Sequence, residues 1–195
     1  MIRICATAPA AFAIILLAVA GVGPVVSPQL AAAAPTLEEG GEGSASSAAP
    51  IPCERRFVYS RERGHCVRAD KGVLPDAELY EQGRSLALAG RYLNALDVLG
   101  AISAPDAKVL TMIGYSQRKA GRVAEGIATY QRALSIEPDN LDAREYLGEG
   151  YAEIGDLEKA RAELARIEAI CGGKSCEQYE DLAEAIDGAK SRTGK

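Results

Sequence analysis

Residues 107–140 read AKVLTMIGYSQRKAGRVAEGIATYQRALSIEPDN, and residues 141–174 follow in the same frame as LDAREYLGEGYAEIGDLEKARAELARIEAICGGK. Laid over each other, they put Gly114 on Gly148, Gln117 on Tyr151 and Gly121 on Gly155, all 34 residues apart. Within each stretch apolar or small residues return every three or four positions, the spacing of one helix face. Leu110, Ile113, Gly114 and Gln117 share one face, and Val123, Ile127, Tyr130 and Leu134 share the next. Leu157, Ala160, Leu164, Ile167 and Ile170 mark a third stripe, and Tyr179, Leu182, Ala183 and Ile186 a last one. Ala120-Gly121-Arg122 and Ile154-Gly155-Asp156 interrupt the stripes with a glycine where a helix should stop. Residues 76–106 repeat the layout about three residues short, turning at Ala89-Gly90-Arg91. Helix–turn–helix units in series follow from this. Asp76, Asp106 and Asn140, all of N-cap type, stand where the first helices should begin.

Paired helices approach closely only where side chains are small. Gly83, Gly114 and Gly148 supply this in the first helices, and Ala95, Gly126 and Ala160 in the second. The composition agrees: with two Phe and no Trp, the core must be built from Ala, Leu, Ile and Tyr, which suits helices better than a β-sandwich.

A 34-residue period with this arrangement of small residues and turns resembles the tetratricopeptide repeat. The middle unit is the nearest to that pattern. It has Gly114 at the crossing, Gly121 in the turn, Tyr130 as the second-helix aromatic, Ala133-Leu134 after it, and Pro138-Asp139-Asn140 to break the chain. The first unit departs by its length and its Ser103-Ala104-Pro105 end. The third departs by Arg144, Ile167 and Gly172, where an apolar residue, Ala and Pro are usual. The resemblance covers Asp76 to about Lys174 and implies an all-α fold. That fold would be a short α-solenoid of three units (76–106, 107–140, 141–174), closed by a capping helix in 175–195. The whole layout also resembles small exported repeat proteins of alphaproteobacteria.

The resemblance further implies a concave groove lined by the first helix of each unit. Carried over, the lining is Tyr80, Arg84 and Leu88, then Lys108, Thr111, Tyr115, Arg118 and Lys119, then Asp142, Glu145, Glu149 and Glu153. Such a groove would be basic in the middle and acidic at its far end, suited to a segmentally charged protein or peptide. The Lys/Asn set that clamps a terminal carboxylate in some family members is not reproduced. Glu145, Glu149 and Glu153 recur every four residues and would stack into one self-repelling stripe. A basic partner lying against it would relieve that repulsion.

The rest of the chain reads as address, spacer and head. Arg3, the apolar stretch Ala10 to Val22 and the small residues Ala31 and Ala33 give residues 1–33 the form of a signal peptide cleaved after Ala33. The alternative is an uncut membrane anchor, for which the apolar run is short against the ~20 residues a span needs. Residues 34–52, rich in Gly, Ser, Ala, Pro and Glu, read as a flexible linker. Residues 53–75 form a basic head segment, a short hairpin through Phe57, Tyr59 and the Gly64 turn, closed by Cys53 and Cys66. Beyond the address segment the cysteines number four, an even count that in an exported chain reads as disulfides. Local spacing pairs Cys53 with Cys66 and Cys171 with Cys176. For the second pair a redox dithiol and a zinc site are the alternatives, but neither C-x-x-C spacing nor paired knuckles are present.

Candidate chemistry is sparse. His65 is the only histidine and has no evident nucleophile to serve. Gly148-Glu149-Gly150 falls inside a helix rather than on a phosphate-cradling loop, so no nucleotide is expected. No catalytic residue, metal or cofactor is expected, and the formal charge of −5 argues against nucleic acid. The expectation is a non-enzymatic adaptor, periplasmic or secreted, binding a protein or peptide. The alternative is an envelope-associated assembly factor, held to an anionic surface by Arg55, Arg56, Arg61, Arg63 and Arg68.

Overall fold

The protein is described by a computed structural model over residues 53–193. The expected signal segment (1–33) and linker (34–52) lie outside the described residues.

Alternation of buried and exposed positions makes a two-stranded antiparallel hairpin from β1 (Phe57–Ser60) and β2 (His65–Arg68), in the register Tyr59 to Cys66 and Val58 to Val67. Gly64 takes a positive φ of 69° at its tip, the conformation a glycine reaches without cost. The disulfide Cys53–Cys66 closes this head. The expected hairpin is present, and it is also part of the core. Val58 and Val67 are buried against Leu74 and Leu79, within the core of the first helices. The side-chain amide of Gln82 takes the place of a third strand: its Oε1 accepts from Tyr59 N at 3.0 Å and its Nε2 donates to Tyr59 O at 2.6 Å.

Seven helices follow: α1 (Asp76–Leu88), α2 (Tyr92–Leu99), α3 (Ala107–Lys119), α4 (Val123–Ile136), α5 (Leu141–Glu153), α6 (Leu157–Cys171) and α7 (Glu177–Thr193). They pack as the pairs α1–α2, α3–α4 and α5–α6, each first helix also lying beside the next, with α7 against both α5 and α6. Every pair turns on a glycine with positive φ: Gly90 at 75°, Gly121 at 83° and Gly155 at 82°. In each turn the following N–H reaches five residues back, as Arg122 N does to Gln117 O at 2.9 Å, satisfying a carbonyl the helix end would orphan. Asp106 and Asn140 cap as expected, accepting from Val109 N and Ala143 N at 2.9 Å. Asp76 does not. It is the first residue of α1 behind Pro75, and its carboxylate accepts from Ser103 N at 3.2 Å, tying the end of the first unit to its beginning.

The crossings are tight where glycine was expected, with one reassignment. A Cβ on Gly83 would fall 2.6 Å from the Leu99 side chain, and one on Gly114 would fall 2.6 Å from the Tyr130 ring. Both contacts are within a helix pair. At Gly148 the obstructing side chain is Leu182 of α7, at 2.5 Å, so this glycine admits the capping helix. Ile167 also finds its reason there: it is fully buried in one cluster with Leu182, Ile186 and Tyr130, filling space that Ala would leave empty. Arg144 serves as a clamp, donating to Pro138 O at 2.6 Å and to Glu163 at 2.7 Å. Gly172 ends α6 in the left-handed conformation, and Cys171–Cys176 ties that end to the start of α7.

Candidate binding groove

First helices of successive units stand side by side, so α1, α3, α5 and α7 share one wall. Two cavities open on it. The first, of about 320 Å³, lies between α1 and α3 and is lined by Tyr80, Glu81, Ile102, Asp106 and Lys108 among others. The second, of about 490 Å³, lies between α3, α5 and α7, where Lys119, Glu149, Glu153, Asp181, Glu184 and Arg192 contribute its charge.

In the first cavity Lys108 Nζ sits 4.0 Å over the Tyr80 ring. Burial raises the Tyr80 phenol above its ordinary pKa, so it stays a neutral hydrogen-bonding group. Arg84 and Leu88 are exposed further along α1. Four tyrosines pack in series across the repeats: Tyr92 edge-on to Tyr115 at 6.2 Å, Tyr115 against Tyr146 at 5.2 Å, and Tyr146 against Tyr130 at 6.1 Å. Lys119 Nζ lies 5.7 Å from the Tyr115 ring.

Three of the carried-over lining residues are not surface contacts. Thr111 is buried, its Oγ1 donating to Ala107 O at 2.7 Å inside α3. Arg118 is only 3 % exposed, and its guanidinium crosses to the next unit, where it donates to both Glu149 and Glu153. Its Nε also faces the Tyr130 hydroxyl at 3.5 Å. Burial alone would lower the Arg118 pKa, but Tyr130, Glu149 and Glu153 together hold it above its ordinary value. Two glycines make the passage. A Cβ on Gly126 would meet Arg118 Cβ at 3.0 Å, and one on Gly150 would lie 3.5 Å from Arg118 Cδ. The Gly148-Glu149-Gly150 triplet is thereby accounted for, one glycine for Leu182, one for Arg118 and Ile127, and a carboxylate between them.

The expected charge step is corrected accordingly. The middle of the wall is not a free basic patch, because Arg118 is spent on Glu149 and Glu153. The stripe is therefore relieved at two of its three carboxylates from within the fold. The third, Glu145, is 6 % exposed, and burial together with the charges of Glu149, Asp181, Asp142 and Glu177 pushes its pKa up to about 8. Asp142 is exposed and accepts from Gln178 of α7 at 3.0 Å. Asp181, Glu184 and Arg192 were not anticipated. Only the apolar stripe of α7 signalled a helix there, and a stripe gives no clue that its polar edge continues the groove.

The segment 117–170, from the end of α3 through α6, matches the tetratricopeptide repeat family model. Over those residues the sequence resembles tetratricopeptide repeats, and the fold is a solenoid of helical pairs of that kind. The fold is similar to that of SycD, a type III secretion translocator chaperone of Yersinia enterocolitica. The match covers 64 % of this chain and 100 % of that one, at 16 % identity and a TM-score of 0.54. It is also similar to PcrH solved with the chaperone-binding region of PopD, over 63 % of this chain and 98 % of that chain, at 19 % identity and a TM-score of 0.51. A third similar structure is YrrB, a tetratricopeptide-repeat protein with an unusual peptide-binding site, over 61 % and 60 % of the two chains, at 17 % identity and a TM-score of 0.50. No curated protein matches the sequence.

Proposed function

We propose that the protein is an exported, non-enzymatic adaptor that holds an extended segment of a partner protein along the wall of first helices. The observation that carries this reading is the continuity of that wall. Two cavities open along consecutive repeats, and the helices that line them also present Tyr80, Lys108, Tyr115 and Lys119. Aromatic rings with nearby charges offer large contact area at little conformational cost. Similar folds that hold partner segments, PcrH with PopD among them, lend this reading support by analogy of fold. Export to the periplasm or beyond is supported by the signal-like residues 1–33 and by the pairing of all four cysteines of the described residues. Absence of catalysis is supported by that same pairing and by His65, exposed with Nδ1 2.9 Å from Arg63 O.

Attachment to an envelope surface through the head gains no comparable support. Arg55 is paired with Asp97 and Arg68 with Asp70, and the hairpin is docked on α1 as the first layer of the array.

The test is site-specific cross-linking. A photoreactive amino acid at Tyr115 should capture a partner in the native export compartment, and the same group at Arg161, exposed on α6, should not. Capture from Arg161 alone would move the binding surface to the other face.

A further inference from the structure

We propose that the residues just before the head, Pro50-Ile51-Pro52, dock as a strap on the first turn of α2, with Ile51 seated in a hollow between the first two units. That hollow, of about 330 Å³, is lined by Gly90, Arg91, Tyr92, Leu93, Asn94 and Ala120. All but Ala120 belong to the first unit, and Ala120 ends α3 of the second. Leu93 is 46 % exposed there, an apolar side chain left to solvent at the start of a helix. Gly90, at a φ of 75°, leaves open space where a side chain would stand. Covering these groups with an apolar side chain is favourable.

The course of the chain points to the occupant. Arg91 donates to Cys53 O at 2.8 Å, and two residues further on Arg55 reaches Asp97 at 2.7 Å. The described chain therefore begins beside the first turn of α2 and runs toward the end of that helix. Leu93 stands four residues before Asp97 on the same helix face, so the same course carried back from Cys53 passes over Leu93 and Asn94. Reach is sufficient: three extended residues span ~10 Å, against ~5.4 Å for one helical turn. Ile51 is the one large apolar side chain between Leu37 and Cys53. Pro52 holds it extended, and the two prolines bring no N–H that docking would strand. Cys53 is itself fixed, by Cys66 and by Arg91, so the segment arrives at high effective concentration and a small contact suffices. The strap links the first unit to Ala120 of the second. It also sets the linker's exit beside Tyr92, whose ring packs on Tyr115 of the groove wall.

The test is contact cross-linking in the full chain with both disulfides formed. A diazirine amino acid of leucine's size in place of Leu93 should link on illumination to Pro50, Ile51 or Pro52 of the same molecule, as mapped by mass spectrometry. The same group in place of Ile154, 58 % exposed at the α5–α6 turn, should not. Ile51→Asp should cut the yield from position 93 about tenfold, and Ile51→Val should keep most of it. Ala120→Glu, which brings a charge into the hollow from the second unit, should lower the yield with Ile51 intact. Ser44→Asp, upstream of the strap, should behave as wild type. Far-UV dichroism checks that each variant stays folded. A yield indifferent to both Ile51→Asp and Ala120→Glu would mean that the tether merely brings the segment near. Links confined to residues 34–45, or links between molecules that grow with protein concentration, would give the hollow to another occupant. Each of these results would overturn the strap.

Discussion

Two side chains on the same wall have opposite fates, and the difference is whether a counter-charge lies within reach. Arg118 is buried with two carboxylates and the Tyr130 hydroxyl around it, so its removal strands them. Arg118→Met keeps most of the volume but leaves Glu149 and Glu153 facing each other, and should cost about 3 kcal/mol in urea unfolding. Glu145 is buried without a counter-charge, and its sign with pH follows from its raised pKa. Between its ordinary value of 4.5 and about 8 the folded state binds the proton and the unfolded state does not. Stability contributed by Glu145 is therefore full below pH 4.5, falls as pH rises toward 8, and levels off above. Glu145→Gln should match wild type at low pH and exceed it by about 1–2 kcal/mol at high pH, allowing for the solvent the carboxyl still meets. Urea titrations at the two ends of that window check it; equal stability at both would show that Glu145 is not held protonated by the fold. None of this was legible in the sequence. Helical spacing put Arg118 and the three glutamates on one side of their helices, but the rotation from one unit to the next decides which of them meet.

At the scale of helices and turns, the glycines divide into those that answer a neighbour and those that answer a backbone angle. A methyl on Gly126 would lie 2.9 Å from the Gly114 carbonyl and 3.2 Å from Arg118 N, both backbone atoms that cannot swing aside. Gly126→Ala should therefore destabilise by roughly 1–3 kcal/mol despite the better helix propensity of alanine. A methyl on Gly148 meets only the tip of Leu182, a side chain with rotamers to try, so Gly148→Ala should cost less and loosen α7 first. Hydrogen exchange confined to α7 would show that loosening. Gly121 has open space around it but φ of 83°, and Gly121→Ala should cost about 1 kcal/mol through strain alone. The element boundaries were readable because each has a local cause: a glycine the turn requires, an aspartate or asparagine that caps. What escaped depends on contacts distant in sequence. Gln82 looks like any helix-surface glutamine until the edge of β1 lies beside it, and Gly148 looks like a pair-crossing glycine until Leu182 arrives from α7.

Across the whole described chain the apolar interior is not continuous but gathered into two large clusters. One runs from the hairpin through α1 and α2 into α3, with Val58, Val67, Leu79, Leu99 and Met112. The other spans α4 to α7, with Tyr130, Leu147, Ile167, Leu182 and Ile186. Between them lies a small alanine-rich cluster, Ala107, Leu110, Ala133 and Ala143, which buries little apolar area per residue. Repeat arrays are held together by nearest-neighbour interfaces, so a weak interface is where cooperativity breaks. Here the alanine cluster is reinforced by Arg118, which leaves α3, touches Tyr130 on α4, and ends on Glu149 and Glu153 of α5. The two disulfides sit at opposite ends, one in the hairpin head and one between α6 and α7, and neither spans this junction. The wild-type protein should therefore unfold in one transition, with far-UV dichroism and tyrosine fluorescence coinciding. In Arg118→Met the C-terminal cluster should lose its link to the first, and both probes should turn biphasic, with one transition for each cluster. Restoring a counter-charge elsewhere does not mimic the link, because only a side chain threading past Gly126 and Gly150 reaches both carboxylates. A single transition in Arg118→Met, shifted to lower urea in both probes, would mean that the alanine cluster alone couples the halves and that Arg118 contributes stability without carrying the junction.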